Sequence, residues 1–214
     1  MSAPILSIAQ SESLERAVDS LQSGSLIVVP TETVYGIAAL PQAHETLLAY
    51  LYGAQNRECW PATPLLLAPQ QSLDPLVRMN RVAARLMDQF WPGALTLLLP
   101  AAPDFPFTVR NPQIAVRVPN FPALWPLLRA LDGYLIVGRA ARSGYPSAIT
   151  AQEAADQLGE DVALVLDGGA ATFGITSTIV DCIEQPPRVA QRGAISKERI
   201  YAALNLSDEY NGTP

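Results

Sequence analysis

Short apolar runs alternate with longer amphipathic segments along this chain, and the alternation predicts an α/β fold. The short runs predict strands at 25–30, 34–40, 63–69, 94–100, 114–119, 134–138, 162–169, 176–183 and 188–193. Segments with helical spacing predict helices at 11–22, 43–57, 80–93, 123–131, 150–159 and 196–204. Such an order of elements is typical of one domain with a mixed, twisted sheet and flanking helices.

No linker divides this pattern, because the chain contains no internal repeat, low-complexity tract or segment rich in proline and serine. Its 214 residues suffice for one α/β domain with a substantial core. We therefore predict a single domain at 14–204, preceded by an N-terminal extension at 1–13 and followed by a tail at 205–214.

Composition narrows the range of functions. The net charge of −6 disfavours a broad nucleic-acid-coating surface. The chain lacks a signal-peptide pattern and an apolar run of the roughly 18–20 residues that a membrane span needs. The two cysteines form no spaced metal motif. We therefore expect a cytoplasmic protein that makes no membrane contact.

The basic residues point to a local anion site. Thirteen of the fourteen are arginines, whose planar fork suits phosphate and carboxylate groups. His44 is the only histidine, which excludes a histidine-based catalytic triad and disfavours a histidine-ligated metal. Neither a P-loop nor a G-x-G-x-x-G motif is present. A bound nucleotide would therefore need another kind of cradle, and we expect no protein metal site.

Seven segments, taken in order, carry a resemblance to a known family. They are "PTETVYG" (30–36), "WPGALTLLLP" (91–100), "AVRVP" (115–119), "SGYPS" (143–147), "LDGG" (166–169), "TSTIVD" (176–181) and "QRGAIS" (191–196). Each is weak alone, but their order and spacing resemble the Sua5/YciO/YrdC family, the threonylcarbamoyl-AMP synthases of tRNA modification. The resemblance covers nearly the whole chain.

The resemblance implies a YrdC/RibB-like fold around a deep, positively lined cavity. It also implies a nucleotidyltransferase reaction in which ATP, with Mg²⁺, L-threonine and bicarbonate give threonylcarbamoyl-AMP and pyrophosphate. Family members pass this product on for tRNA modification, and they are also described as binding double-stranded RNA. A tRNA or a double-stranded RNA is therefore an implied partner.

The family's motifs also imply roles for particular residues. Those that match the substrate end of the cavity are Thr31, Thr33, Tyr35, Arg117, Ser177 and Thr178. Those that match the nucleotide end, or lie beside it, are Arg57, Arg139, Arg142, Ser143 and Arg192. Arg117 would hold the threonine carboxylate, and Arg57 and Arg117 would be the catalytic residues.

Two motifs depart from the family pattern. Gln55 stands where the family's Lys-x-Arg motif has its lysine, and Arg139 and Ala141 stand where a Ser-x-Asn triplet is expected. Two hypotheses therefore remain open. The chain is either a divergent synthase that uses arginine in place of lysine, or a lapsed relative that binds a nucleotide, another anion or double-stranded RNA.

Overall fold

The computed structural model describes residues 2–52, 64–105 and 112–206. Its strands are β1 Ile5–Ser7, β2 Ile27–Val29, β3 Gly36–Ala39, β4 Pro64–Leu67, β5 Leu95–Pro100, β6 Gln113–Arg117, β7 Tyr134–Arg139, β8 Val165–Asp167, β9 Thr178–Asp181 and β10 Arg188–Gln191. Its helices are α1 Ser11–Gln22, α2 His44–Tyr52, α3 Arg81–Phe90, α4 Trp125–Ala130, α5 Ala151–Leu158 and α6 Lys197–Leu204.

The strands of the described ranges form one mixed sheet in the order β1-β8-β2-β3-β7-β4-β6-β5-β9-β10. The pairs β1–β8, β8–β2, β4–β6 and β5–β9 are parallel, and the others are antiparallel. The predicted α/β class with a mixed sheet is confirmed. The sheet also begins earlier in the chain than predicted, because β1 lies within the segment interpreted as an N-terminal extension.

Side-chain alternation along the strands builds a core on each face of the sheet. Ile27 and Val29 of β2 pack with α1 and α4, while Val28 packs with the opposite cluster, to which α2, α3, α5 and α6 contribute. Strand β4 alternates in the same way, with Leu66 on the α1/α4 face. The sheet therefore lies between two helical layers.

Local capping sets where the helices begin. The Asn80 side chain accepts a hydrogen bond from Ala83 N at the start of α3, and Thr150 accepts one from Glu153 N at the start of α5. Helix α3 then buries Ala83, Leu86 and Phe90 on one face and ends before the Trp91-Pro92-Gly93 turn. Within the described ranges, no helix has both the length and the apolar character required to cross a bilayer.

Candidate active site

Five neighbouring strands contribute one row of side chains to the wall of a cavity of about 200 Å³. Leu66 of β4 lies opposite Arg117 of β6, Thr96 of β5 lies opposite Ile179 of β9, and Ile179 lies opposite Gln191 of β10. All five line the cavity. Since Leu66 belongs to the core on the α1/α4 face, the cavity opens on that side of the sheet.

Arg117 is the buried cation of this row. Its Nε donates to Gly93 O over 3.0 Å, and its Nη1 donates to Thr33 Oγ1 over 2.9 Å. Its Nη2 lies 2.8 Å from Glu32 Oε1. Burial lowers the pKa of the Arg117 guanidinium, and the Glu32 carboxylate opposes this by raising it. The guanidinium is therefore fixed in position from three sides.

Glu32 is a site residue that the sequence analysis missed. It is buried, and its Oε1 also accepts a hydrogen bond from Asn120 N over 3.1 Å. Among the described residues, Glu32 Oε2 has no hydrogen-bond partner, and the contact of Arg117 Nη2 with Oε1 lacks hydrogen-bond geometry. The available signal was a charged residue between two buried strands, because such a residue is seldom buried unless it is paired.

Thr31 and Thr33 line the cavity, and their hydroxyl protons are already committed. Thr31 Oγ1 donates to Val34 O over 2.6 Å, so the proton in its 2.8 Å contact with Thr33 Oγ1 comes from Thr33. Thr33 Oγ1 in turn accepts from Arg117. The resulting chain runs from Arg117 through both threonines to a backbone carbonyl.

Ser177, which immediately precedes β9, and Thr178, its first residue, face opposite sides of the sheet. Ser177 lines the cavity, and its Oγ lies 2.8 Å from Thr96 Oγ1. Thr178 donates to Ile195 O over 2.6 Å and accepts from Ile195 N over 3.0 Å, on the side of α6. Thr178 therefore anchors the chain before α6 and does not join Ser177 in the cavity.

Thr96 is a second residue that the sequence analysis missed. It is fully buried on β5 and lines the cavity beside Ser177. Its signal in the sequence was a hydroxyl within the otherwise apolar run "ALTLLLP". Such a residue needs a hydrogen-bond partner inside the fold.

Tyr35 contributes to the cavity wall, but its hydroxyl is directed to the loop after β8. The hydroxyl donates to Gly169 O over 2.7 Å and lies 3.4 Å from Asp167 Oδ1. Burial raises the pKa of Tyr35 to about 12; the Gly168 amide opposes this, and the Asp167 carboxylate adds to it. Tyr35 thereby fixes the "LDGG" turn against the start of β3.

The arginines assigned to the nucleotide end are dispersed. Arg139 is exposed at the end of β7 and lines the cavity, where its Nη1 lies 3.4 Å from Ser147 Oγ. Arg142 and Ser143 are exposed in the following loop, and neither belongs to the described lining. Arg192 is also exposed and lies outside the described lining, because its neighbour Gln191 occupies the cavity-facing position. Arg57 and Gln55 fall outside the described residues.

Close packing explains the glycine of the "QRG" motif. A Cβ atom on Gly193 would overlap Thr176 O and the Ser177 carbonyl carbon. Ala194 N also donates to Thr176 O over 2.9 Å. The chain after β10 therefore presses directly on the segment that presents Ser177, and only glycine fits there.

Known proteins resemble this chain in both sequence and fold. A Mycobacterium tuberculosis protein provisionally named a threonylcarbamoyl-AMP synthase is 34% identical over 92% of this chain and 91% of its own length. The threonylcarbamoyl-AMP synthase of Bacillus subtilis is 31% identical over 89% of this chain, which spans 56% of that protein.

Solved structures of other proteins have the same fold. Sua5 of Pyrococcus abyssi, crystallised with L-threonine, superposes with a TM-score of 0.82 at 25% identity over 95% of this chain and 61% of its own. Escherichia coli YciO shares the fold, with a TM-score of 0.75 at 23% identity over 92% of this chain and 98% of its own. The Sua5/YciO/YrdC family model, described as "Telomere recombination", matches residues 19–193. This chain therefore belongs to the Sua5/YciO/YrdC family.

Proposed function

We propose that this chain is a threonylcarbamoyl-AMP synthase, which converts ATP, L-threonine and bicarbonate into threonylcarbamoyl-AMP and pyrophosphate. The observation that carries the proposal is the buried Arg117 in the wall of a cavity lined by hydroxyl groups. Relatives named for this activity match most of the chain. The cavity suits a small polar molecule with a negatively charged end.

The amino-acid substrate would bind at Arg117. An arginine whose guanidinium is already held in place loses little conformational entropy when it binds a carboxylate. Gly93 O, Thr33 and Glu32 hold Arg117 in this way. Each guanidinium carries five N–H donors, so Arg117 retains N–H groups for a carboxylate.

The nucleotide would approach from the side of Arg139. This side chain is exposed where it lines the cavity, and no ion-pair partner is found for it among the described residues. A guanidinium in that position can bind phosphate oxygens through charge-assisted hydrogen bonds. Carbamate attack on the α-phosphate then requires alignment of the reactants and stabilisation of charge on the phosphate, and it requires neither a histidine nor a thiol.

Mg²⁺ would enter with ATP. In the described part of the chain, no group of three or more His, Cys, Asp or Glu residues could hold a metal ion. These residues do not fit a resident magnesium site, and we assign no catalytic step to one. Mg²⁺ commonly binds through substrate phosphates with few protein ligands, which is consistent with its arrival as MgATP.

A second candidate function is anion binding without synthesis. It is favoured by Arg139 and Ala141, which replace the two polar groups of the expected Ser-x-Asn triplet. Arginine can supply charge, but its long side chain changes the geometry of the nucleotide end. On this hypothesis the ligand would be a nucleotide, another anion or double-stranded RNA. The synthase proposal further implies a cytoplasmic protein whose product is used in tRNA modification.

Pyrophosphate release separates the two candidates. The synthase releases pyrophosphate from ATP only when L-threonine and bicarbonate are both present, and Arg117→Ala abolishes this threonine-dependent release. The binding protein releases none under conditions in which the Bacillus subtilis relative is active, although ATP still raises its Tm.

A further inference from the structure

The hydroxyl groups of Thr96 and Ser177 form a buried pair in the cavity wall. Their oxygen atoms lie 2.8 Å apart, and either atom could be the donor on distance alone. Thr96 lies in the middle of the row that begins at Leu66, and Ser177, which immediately precedes β9, lines the same cavity as Ile179. The pair therefore forms part of the cavity wall that contains Arg117.

Counting protons assigns the direction of this hydrogen bond. Two hydroxyls carry two protons, and one proton lies between the oxygens. In the described residues, neither hydroxyl has a further hydrogen-bond partner. Thr96 is completely buried, whereas Ser177 is 8% exposed at the cavity. A buried proton without an acceptor is costly, so Thr96 donates to Ser177, and Ser177 points its own proton into the cavity.

The hydroxyls of Thr31 and Thr33 differ in this respect. Thr33 donates to Thr31, and Thr31 donates to a backbone carbonyl, so neither has a proton left for a ligand. Ser177 and Arg117 are therefore donors that the cavity can direct at a ligand. Arg117 and Thr96 are adjacent across β5 and β6, one step beyond the Leu97–Val116 pair. Thr96 thus holds Ser177 beside Arg117, and a hydroxyl donor next to a guanidinium suits an oxyanion better than a neutral group.

We propose that Thr96 is a positioning residue, which fixes the Ser177 hydroxyl as a hydrogen-bond donor to a ligand carboxylate that also reaches Arg117. The identity of that carboxylate, the amino-acid substrate, rests on the proposed function. The positioning itself does not, because it follows from burial and the proton count. If the Thr96 hydroxyl served only packing or strand stability, its removal would change the free energy of unfolding and leave L-threonine binding unchanged.

Four variants of the full chain test this assignment by calorimetric titration with L-threonine. Thr96→Val removes the hydroxyl at nearly constant volume and weakens L-threonine binding about tenfold, in the range expected for a hydrogen bond to a charged group. Ser177→Ala weakens it similarly. Thr96→Val/Ser177→Ala binds no more weakly than Ser177→Ala alone, because Thr96 acts through Ser177. Thr96→Ser restores binding to within about twofold.

Three results for the variants would overturn the assignment: Thr96→Val binds like the wild type, the two substitutions weaken binding additively, or Thr96→Ser fails as Thr96→Val does. Failure of the wild type to bind L-threonine also overturns it. If Thr96→Val does not fold, Thr96→Cys, a weak donor, replaces it. Pyrophosphate release is measured in parallel. A wild type that binds L-threonine but releases no pyrophosphate contradicts the proposed function, and the binding constants still decide the role of Thr96.

Discussion

Glu32 Oε1 lies 2.8 Å from Arg117 Nη2, and both side chains are less than one-tenth exposed. This ion pair joins the segment between β2 and β3 to the end of β6, where the cavity begins. A buried charge that loses its partner is strongly destabilising, whereas an exposed ion pair contributes little. The pair therefore couples the stability of the fold to the position of the ligand-binding cation.

Glu32→Ala should destabilise the protein by about 3–5 kcal/mol, because it leaves the Arg117 charge buried and unpaired. The matched control is Glu184→Ala, which breaks the exposed pair with Arg188 and should cost at most about 1 kcal/mol. Urea unfolding measures both variants. Equal losses in the free energy of unfolding of the two variants would show that the buried Glu32–Arg117 pair contributes no more than the exposed pair.

Ser177→Ala and Thr178→Val should differ in their effect on L-threonine binding, although the residues are adjacent. Thr178→Val removes two buried hydrogen bonds to Ile195 and should lower the free energy of unfolding by about 1–3 kcal/mol. Ser177→Ala should lower the free energy of unfolding by a similar amount, about 1–3 kcal/mol, because it leaves the buried Thr96 hydroxyl without an acceptor, but only Ser177→Ala should weaken L-threonine binding. Urea unfolding and titration of both variants test this contrast. Equal weakening of L-threonine binding in the two variants would contradict this contrast.

Arg139→Ala should weaken ATP binding about tenfold, as expected for the loss of one charge-assisted hydrogen bond at an exposed site. The control is Arg129→Ala, an exposed arginine on α4 that does not line the cavity. Fluorescence titration with an ATP analogue at two salt concentrations measures the effect. Wild-type affinity of Arg139→Ala for the ATP analogue would show that Arg139 does not contact the nucleotide.

Stability should fall as the pH rises from about 10 to about 12, because the pKa of Tyr35 is raised to about 12 from its ordinary value of 10.0. In this range the unfolded chain loses the phenolic proton and the native protein keeps it, so the native state binds more protons and stability decreases with pH. Below pH 10 this contribution is fully present.

Tyr35→Phe should flatten this decrease. Cys182, whose pKa burial raises to about 12, accounts for a separate part of the alkaline loss that Tyr35→Phe leaves in place. Chemical unfolding at pH 9, 10 and 11 compares the wild type with the variant. Identical slopes in the two proteins would contradict the role of the Tyr35 hydroxyl.

The alternation of apolar segments predicted most of the fold, because strand and helix periods are local properties of the sequence. It missed β1, a strand of three residues at the edge of the sheet. The equally short β2 and β8 lie within longer apolar runs, whereas β1 has only two apolar residues, and its pairing with β8 is a long-range contact. The tertiary structure therefore defines this edge.

The site was predicted less completely, since its geometry depends on which face each side chain occupies. The motifs pointed to Arg117 and Ser177, and both line the cavity. The same motif reasoning grouped Thr178 with Ser177, although the two face opposite sides of the sheet. Glu32 and Thr96 carried a signal only as polar residues in apolar surroundings, and their partners became visible once β5, β6 and β9 were adjacent.

Formation of the carbamoyl adenylate tests the central claim most directly. The chain is incubated with ATP, L-threonine and ¹³C-labelled bicarbonate, and the nucleotide products are analysed by mass spectrometry. We predict threonylcarbamoyl-AMP carrying one ¹³C atom, in an amount equal to the pyrophosphate released and absent for Arg117→Ala. Pyrophosphate without a labelled adenylate, or neither product from the folded protein, would contradict the account.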